Sequence, residues 1–205
     1  MNENLLTFSL SVFTGFFAIM NPIANTPIFL GLTGEETEAV KRKTAKKATL
    51  TAFIIVAAFV VLGKYIFELF GITIPAFKMT GGILLFYVGF EMLMSKKSTI
   101  HGHKMSDESE GIAISPLAIP ILAGPGTIVT AMNYVTNAGY LKMGIVLAIF
   151  ALMVYLTYLA FSLSEFIVKE IGSNLITVIG KIMGLILAIM GTEMTIEGIK
   201  LGFQL

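Results

Sequence analysis

Six apolar stretches, each long enough to cross a bilayer, dominate this 205-residue sequence. They lie at about 5–30, 48–69, 73–94, 112–137, 143–167 and 174–199, against roughly 20 residues needed for one crossing at 1.5 Å rise per residue. Hydrocarbon offers no hydrogen-bond partner to the backbone, so spanning segments are helices or a closed barrel. The stretches lack period-two alternation, which selects helices. Charged residues make up 13% of the chain and hydrophobic ones 56%, where average globular chains carry about 25% charged residues. The longest polar stretches, 33–47 and 95–111, are too short to build a core, so no soluble domain is expected. An acidic start (Glu3) and a long first apolar run argue against a cleavable signal peptide. Cysteine is absent, which excludes disulfides, thiol catalysis and thiolate metal sites. A net charge of +1 gives no sign of a nucleic-acid partner.

The basic residues set an expected orientation. Lys41, Arg42, Lys43, Lys46, Lys47, Lys96, Lys97, Lys104 and Lys169 fall on one side of the stretches, and Lys64, Lys142 and Lys200 on the other. That bias places both termini outside and the 95–111 loop in the cytoplasm. Lys78 and Lys181 sit just inside the third and sixth stretches and can snorkel.

Two segments 102 residues apart are near copies. Gly82, Leu85, Gly89, Glu91 and Met92 match Gly184, Leu187, Gly191, Glu193 and Met194. A matched Glu inside an apolar run is a rare coincidence. The offset is almost half the chain, so the sequence reads as one unit written twice. Each half holds three helices, an odd number, so the second enters the membrane from the opposite side. The expected fold is therefore all-α, with six transmembrane helices arranged as two inverted three-helix repeats, 1–94 and 112–205, joined by a cytoplasmic linker at 95–111.

Five of the six prolines lie in the first helix of each half: Pro22 and Pro27, then Pro116, Pro120 and Pro125. Pro75 opens the third stretch, where a missing N–H costs little. An interior proline removes a helical hydrogen bond and its ring clashes with the turn before it. Helices 1 and 4 are therefore expected to be broken, around Asn21–Pro27 and Gly124–Thr127. Pro22 should free the carbonyl of Ala18, Pro27 that of Ile23 and Pro125 that of Ile121. Paired broken helices at matched depth point to a transporter site. A half-helix N-terminus suits a carboxylate and freed carbonyls suit an ammonium, so a zwitterionic amino acid fits both. Thr14, Ala18, Asn21 and Asn25 share one helical face, and Gly126, Thr130, Asn133 and Asn137 share another at the same spacing. Small polar residues also hydrogen-bond between membrane helices without binding anything.

At these residues the chain resembles the MarC family of small integral membrane proteins. The likeness rests on Asn21-Pro22-Ile-Ala-Asn-Thr-Pro27, on Gly81-Gly82-Ile-Leu-Leu-Phe and on Ala123-Gly124-Pro125-Gly126-Thr127-Ile128, and it runs through essentially the whole chain. It implies a prokaryotic cytoplasmic-membrane protein of the LysE-type transporter group. The SnatA-like branch of that family is associated with transport of glycine, alanine and other small neutral amino acids.

The resulting expectation is a secondary transporter of small neutral amino acids working by alternating access. Asn21, Pro22, Asn25, Thr26, Gly124, Pro125, Gly126, Thr127 and Thr130 would form its substrate site. Glu91 and Glu193 are lesser candidates for ion coupling, since a carboxylate in a span is costly, although both could reach the interface. No nucleotide motif exists, so H+, Na+ or the substrate's own gradient would drive it. Export of another small solute and a non-transporting regulatory role are the alternatives. An intramembrane enzyme is not expected, because the spans hold neither His nor Cys. No cofactor or metal is expected. His101 and His103 are two ligands in a loop, too few for a metal site. The acidic-then-basic run from Glu35 to Lys47 reads as an interfacial lead-in to the second helix. Homo-oligomers are compatible with the chain.

Overall fold

The computed structural model describes residues 4–33, 36–94, 113–136 and 138–204. The 95–111 linker, with His101 and His103, and Asn137 lie outside the described residues. All regular structure among the described residues is helical: α1 (Leu5–Met20), α2 (Thr26–Thr33), α3 (Glu38–Phe70), α4 (Ile74–Met94), α5 (Ala113–Leu122), α6 (Pro125–Val135), α7 (Tyr140–Ser162), α8 (Ser164–Ile171) and α9 (Ser173–Phe203).

Four of these are long and apolar enough to cross a membrane: α3 over Glu38–Gly63, α4, α7, and α9 over Asn174–Phe203. The first and fourth expected spans are instead each divided into two short helices, α1 with α2 and α5 with α6. The second span begins ten residues earlier than hydropathy suggests, because the basic lead-in continues the same helix. The fifth ends at Ser162, and α8 follows as a separate amphipathic helix with Phe166 exposed.

Local chemistry sets the ends. Asn4 caps α1 by accepting the Leu6 N–H at 3.2 Å. Gly71 adopts φ 62° after α3, and Ile72 N–H reaches the Phe67 carbonyl at 2.9 Å, a left-handed stop that favours glycine. α5 winds as a π-helix, and beyond its end Ala123 N–H still bonds the Ala118 carbonyl five residues back at 2.8 Å. Pro116 and Pro120 lie in this segment. Neither proline has an N–H to give to a helical hydrogen bond four residues back.

The main core gathers Phe8, Val12, Phe16 and Met20 of α1 against Val56 and Val60 of α3, Leu117 and Leu122 of α5, and Val146, Phe150 and Met153 of α7. Phe150 packs between Phe16 and Phe53, at 4.9 and 6.0 Å between centroids. Leu50, Ile54, Ile83, Phe86, Phe90, Leu185 and Ile189 face outward. Such an apolar exterior suits lipid rather than water.

The near-copy segments pack on each other. A Cβ built on Gly82 would meet the Gly191 carbonyl at 2.5 Å, and one on Gly89 the Gly184 carbonyl at 2.5 Å. Gly198 meets Pro75 and Met79 in the same way. Seven residues forward on α4 correspond to seven residues backward on α9, so the helices run antiparallel. Sequence equivalents exchange places: Gly82 faces Gly191 while Gly89 faces Gly184. That is the self-complementary pattern of a two-fold contact. The glycines here do permit close helix approach.

Candidate functional site

The first break is built by Asn21. It takes the left-handed conformation, φ 35°, which Asn tolerates better than most residues. Its N–H still bonds the Phe17 carbonyl at 2.9 Å, and its Oδ1 accepts the Ala24 N–H at 3.2 Å. Asn25 Nδ2 donates to the Met20 carbonyl at 2.7 Å. Thr26 N and Oγ1 donate to the Ile23 carbonyl at 3.2 and 2.6 Å. The carbonyl that Pro27 was expected to free is thus occupied by Thr26, not open to a ligand.

The prolines act differently from the sequence expectation. Pro27 is the second residue of α2 and Pro125 the first of α6, positions where the missing N–H would be unpaired anyway. They start the second half-helices instead of interrupting the first. Only Pro22 lies inside a break. Gly124 is the N-cap of α6 with extended backbone, and Ile128 N–H bonds its carbonyl at 3.1 Å.

The two breaks are brought together through their ends. A Cβ on Gly126 would lie 2.9 Å from Ile19 Cδ1 and 3.6 Å from Leu85 Cδ2, so the first turn of α6 packs on the last turn of α1 and on α4. A Cβ on Gly180 would lie 3.5 Å from Ala24 Cβ, which sets α9 against the first break. Ala18, Leu85, Val129, Leu187 and Met194 form a small apolar cluster among these elements. Leu85 and Leu187, equivalents in the repeat, are both in it.

Several polar groups here are buried without a partner. Asn21 is 1% exposed and Thr130 2%. Asn21 Nδ2, Thr130 Oγ1 and Asn133 Oδ1 make no hydrogen bond within the protein. An unmet buried donor or acceptor costs about 1–3 kcal/mol, so three in two adjoining broken segments ask for a function. Gly126, Thr130 and Asn133 lie on one face of α6. Pro22, Thr26 and Thr127 are also buried, and Asn25 half-buried. Asn133 belonged to the sequence face pattern but not to the expected site residues; its orphaned oxygen adds it.

Other expectations fall away from this centre. Thr14 is exposed and bonds the Leu10 and Ser11 carbonyls of its own helix. Glu91 and Glu193 are exposed, so neither carboxylate is held in the interior beside the breaks. α9 runs ten residues beyond Glu193, and Glu197 pairs with Lys78 of α4 at 2.6 Å. A partly open cleft lies elsewhere, between the start of α3 and the α7–α8 junction. There Lys41 holds the Glu165 carboxyl below the usual carboxylate range through a direct hydrogen bond. Sequence reasoning passed over this pair, because Lys41 looked like one solvated base among five.

Matches to known proteins run through nearly the whole chain. A protein-family profile described as "MarC family integral membrane protein" matches residues 6–203. The chain belongs to the MarC family. It is 41% identical to the membrane protein YvbG of Bacillus subtilis, covering 96% of both chains. A Pyrococcus horikoshii relative is 38% identical over 99% of both. YhcE of Escherichia coli is 34% identical, over 92% of this chain and 90% of that one. Each is named a UPF0056 membrane protein, a name that states no substrate. No solved structure matches significantly. This MarC-family chain is accordingly an integral membrane protein.

Proposed function

We propose that this MarC-family protein is a secondary transporter of small neutral amino acids, of glycine or alanine size, in the cytoplasmic membrane. The observation that carries the reading is the adjoining pair of helix breaks with Asn21 Nδ2, Thr130 Oγ1 and Asn133 Oδ1 buried and unpartnered. A buried donor and a buried acceptor without a protein partner suit a ligand that brings both an acceptor and a donor. A zwitterionic amino acid does so, with the uncapped first turn of α6 favouring its carboxylate.

In this reading the chain crosses six times, as two inverted repeats with α1–α2 and α5–α6 as the broken spans. The antiparallel, exchange-symmetric glycine contact of α4 with α9 supports it. So does the matched packing of α5 on α3 and of α1 on α7. Both termini lie outside, one repeat rocks against the other, and an ion gradient or the substrate gradient drives it. Glu91 and Glu193, if they serve coupling, do so from the rim.

Labelled glycine and alanine uptake into proteoliposomes tests the reading. Counterflow above protein-free vesicles is the expected result. Its absence for every small neutral amino acid, with monodisperse protein, rejects it.

A further inference from the structure

The cleft beside Lys41 has a volume of about 340 Å³ and is lined by Lys41, Phe161, Ser162 and Glu165 among others. Lys41 Nζ lies 2.5 Å from Glu165 Oε1 and 3.5 Å from Glu38 Oε1. The Lys41 side chain is 9% exposed, whereas its neighbours Arg42 and Lys43 are exposed. Lys41 thus lays its stem against the protein and turns its ammonium to the two carboxylates. The pair joins residues 124 positions apart, one from each half of the chain.

Behind it lies a second contact between the halves. Phe161, which lines the cleft, stacks on Phe29 of α2 with centroids 4.6 Å apart and planes 9° apart. Both rings are at most 1% exposed. Phe29 is three residues beyond Thr26, on the same face of α2. The stacked rings and the ion pair therefore stand together where the cleft meets the helix that begins at the first break. The α4–α9 contact differs in kind. It is backbone against backbone at Gly82, Gly89, Gly184 and Gly191, and it cannot part without losing the whole seam. The Phe29–Phe161 and Lys41–Glu165 contacts are made by side chains, which can part by a change of rotamer.

We infer that the Phe29–Phe161 stack and the Lys41–Glu165 pair form a gate between this cleft and the first helix break, the cleft being the vestibule of the substrate route on that side. The inference rests on the transport reading and adds to it where access is controlled. Closed, the rings exclude water from Asn21 and Thr26, and the ion pair holds α3 to α8. Open, the rings separate and Lys41 exchanges Glu165 for water. Replacing Glu165 leaves Lys41 only the longer contact to Glu38 at 3.5 Å, which weakens the closed form and shifts the population toward the open one.

The natural absence of cysteine gives a direct readout. Thr26→Cys places one thiol at a position that is 0% exposed, and its modification rate by a small charged thiol reagent in detergent reports opening. Adding Glu165→Gln or Phe161→Ala is expected to speed modification about tenfold, the effect of a shift of about 1.4 kcal/mol. The exchange Lys41→Glu with Glu165→Lys should return it toward the Thr26→Cys rate. Glu197→Gln, which breaks the ion pair beside the α4–α9 seam, should leave it unchanged. Unaltered rates in both gate variants, with elution and melting like the parent, overturn the gate, as does an equal rise in Glu197→Gln. Labelling needs no substrate, so a failed uptake assay rejects the transport reading without touching this result.

Discussion

Asn21 carries two duties that can be separated. Its backbone needs φ 35° to turn the chain out of α1, and its side-chain amide is half used, Oδ1 bonded to Ala24 N–H and Nδ2 unmet. Glycine keeps the turn and removes the amide. Asn21→Gly should therefore melt somewhat below the parent, since the Ala24 N–H loses its acceptor, while uptake falls about tenfold, the loss of one buried hydrogen bond to a charged ligand group. Asn21→Ala should lose uptake as well and be about 1 kcal/mol less stable, from the left-handed strain of a Cβ. Full uptake by a folded Asn21→Gly protein would remove the amide from the site. Asn25 and Thr26 belong to a different class. Their side chains already satisfy the Met20 and Ile23 carbonyls, so they build the break and their loss should show first in stability. The polar composition of this segment was plain in the sequence. The division of labour was not, because which carbonyl a side chain reaches depends on the turn that Asn21 makes.

Among the elements, α4 and α9 are the most demanding. Their glycines lie where any Cβ would meet opposing backbone. At Gly191 it would meet Phe86 N and the Gly82 carbonyl, atoms that cannot swing aside. Gly144 of α7 faces open space. Gly191→Ala should lower the melting temperature of purified protein strongly, and Gly184→Ala nearly as much, since the two occupy exchanged places in one contact. Gly144→Ala should leave it equal or raise it slightly through better helix propensity. Equal melting of all three would mean the seam is looser than described. The proline census located both breaks correctly in the chain but assigned the wrong task to Pro27 and Pro125. Sequence spacing cannot tell a proline that interrupts a helix from one that begins the next, because that depends on where the chain turns before it.

For the whole molecule, the proposed six-span topology turns on opposed directions of the two halves. In that topology α3 and α7 are equivalent elements, and inversion would start them on opposite sides of the membrane. Lys43 and Tyr140 lie near those starts and are exposed. Single cysteines at the two positions should react with an impermeant reagent from opposite faces, Lys43→Cys from the cytoplasm and Tyr140→Cys from outside. Labelling from the same face would end the inverted-repeat reading. Burial also sorts the acids at this scale. Glu91 and Glu193 drew notice as matched carboxylates in apolar runs, yet they face outward, while Glu165 and Glu197, unmatched in the repeat, hold the ion pairs that join the halves.

By itself the sequence determined that the chain lives in a membrane, that it is helical, that it belongs with the MarC proteins and where its helices break. These are properties of composition, period and local backbone chemistry, and they need no partner across space. Only the tertiary structure decided which glycine faces which, which buried polar atoms stay unmet and which lysine of the basic run turns inward to Glu165. Those depend on contacts between residues about a hundred positions apart, and pairing at that range is set by packing of whole helices, not by any local pattern.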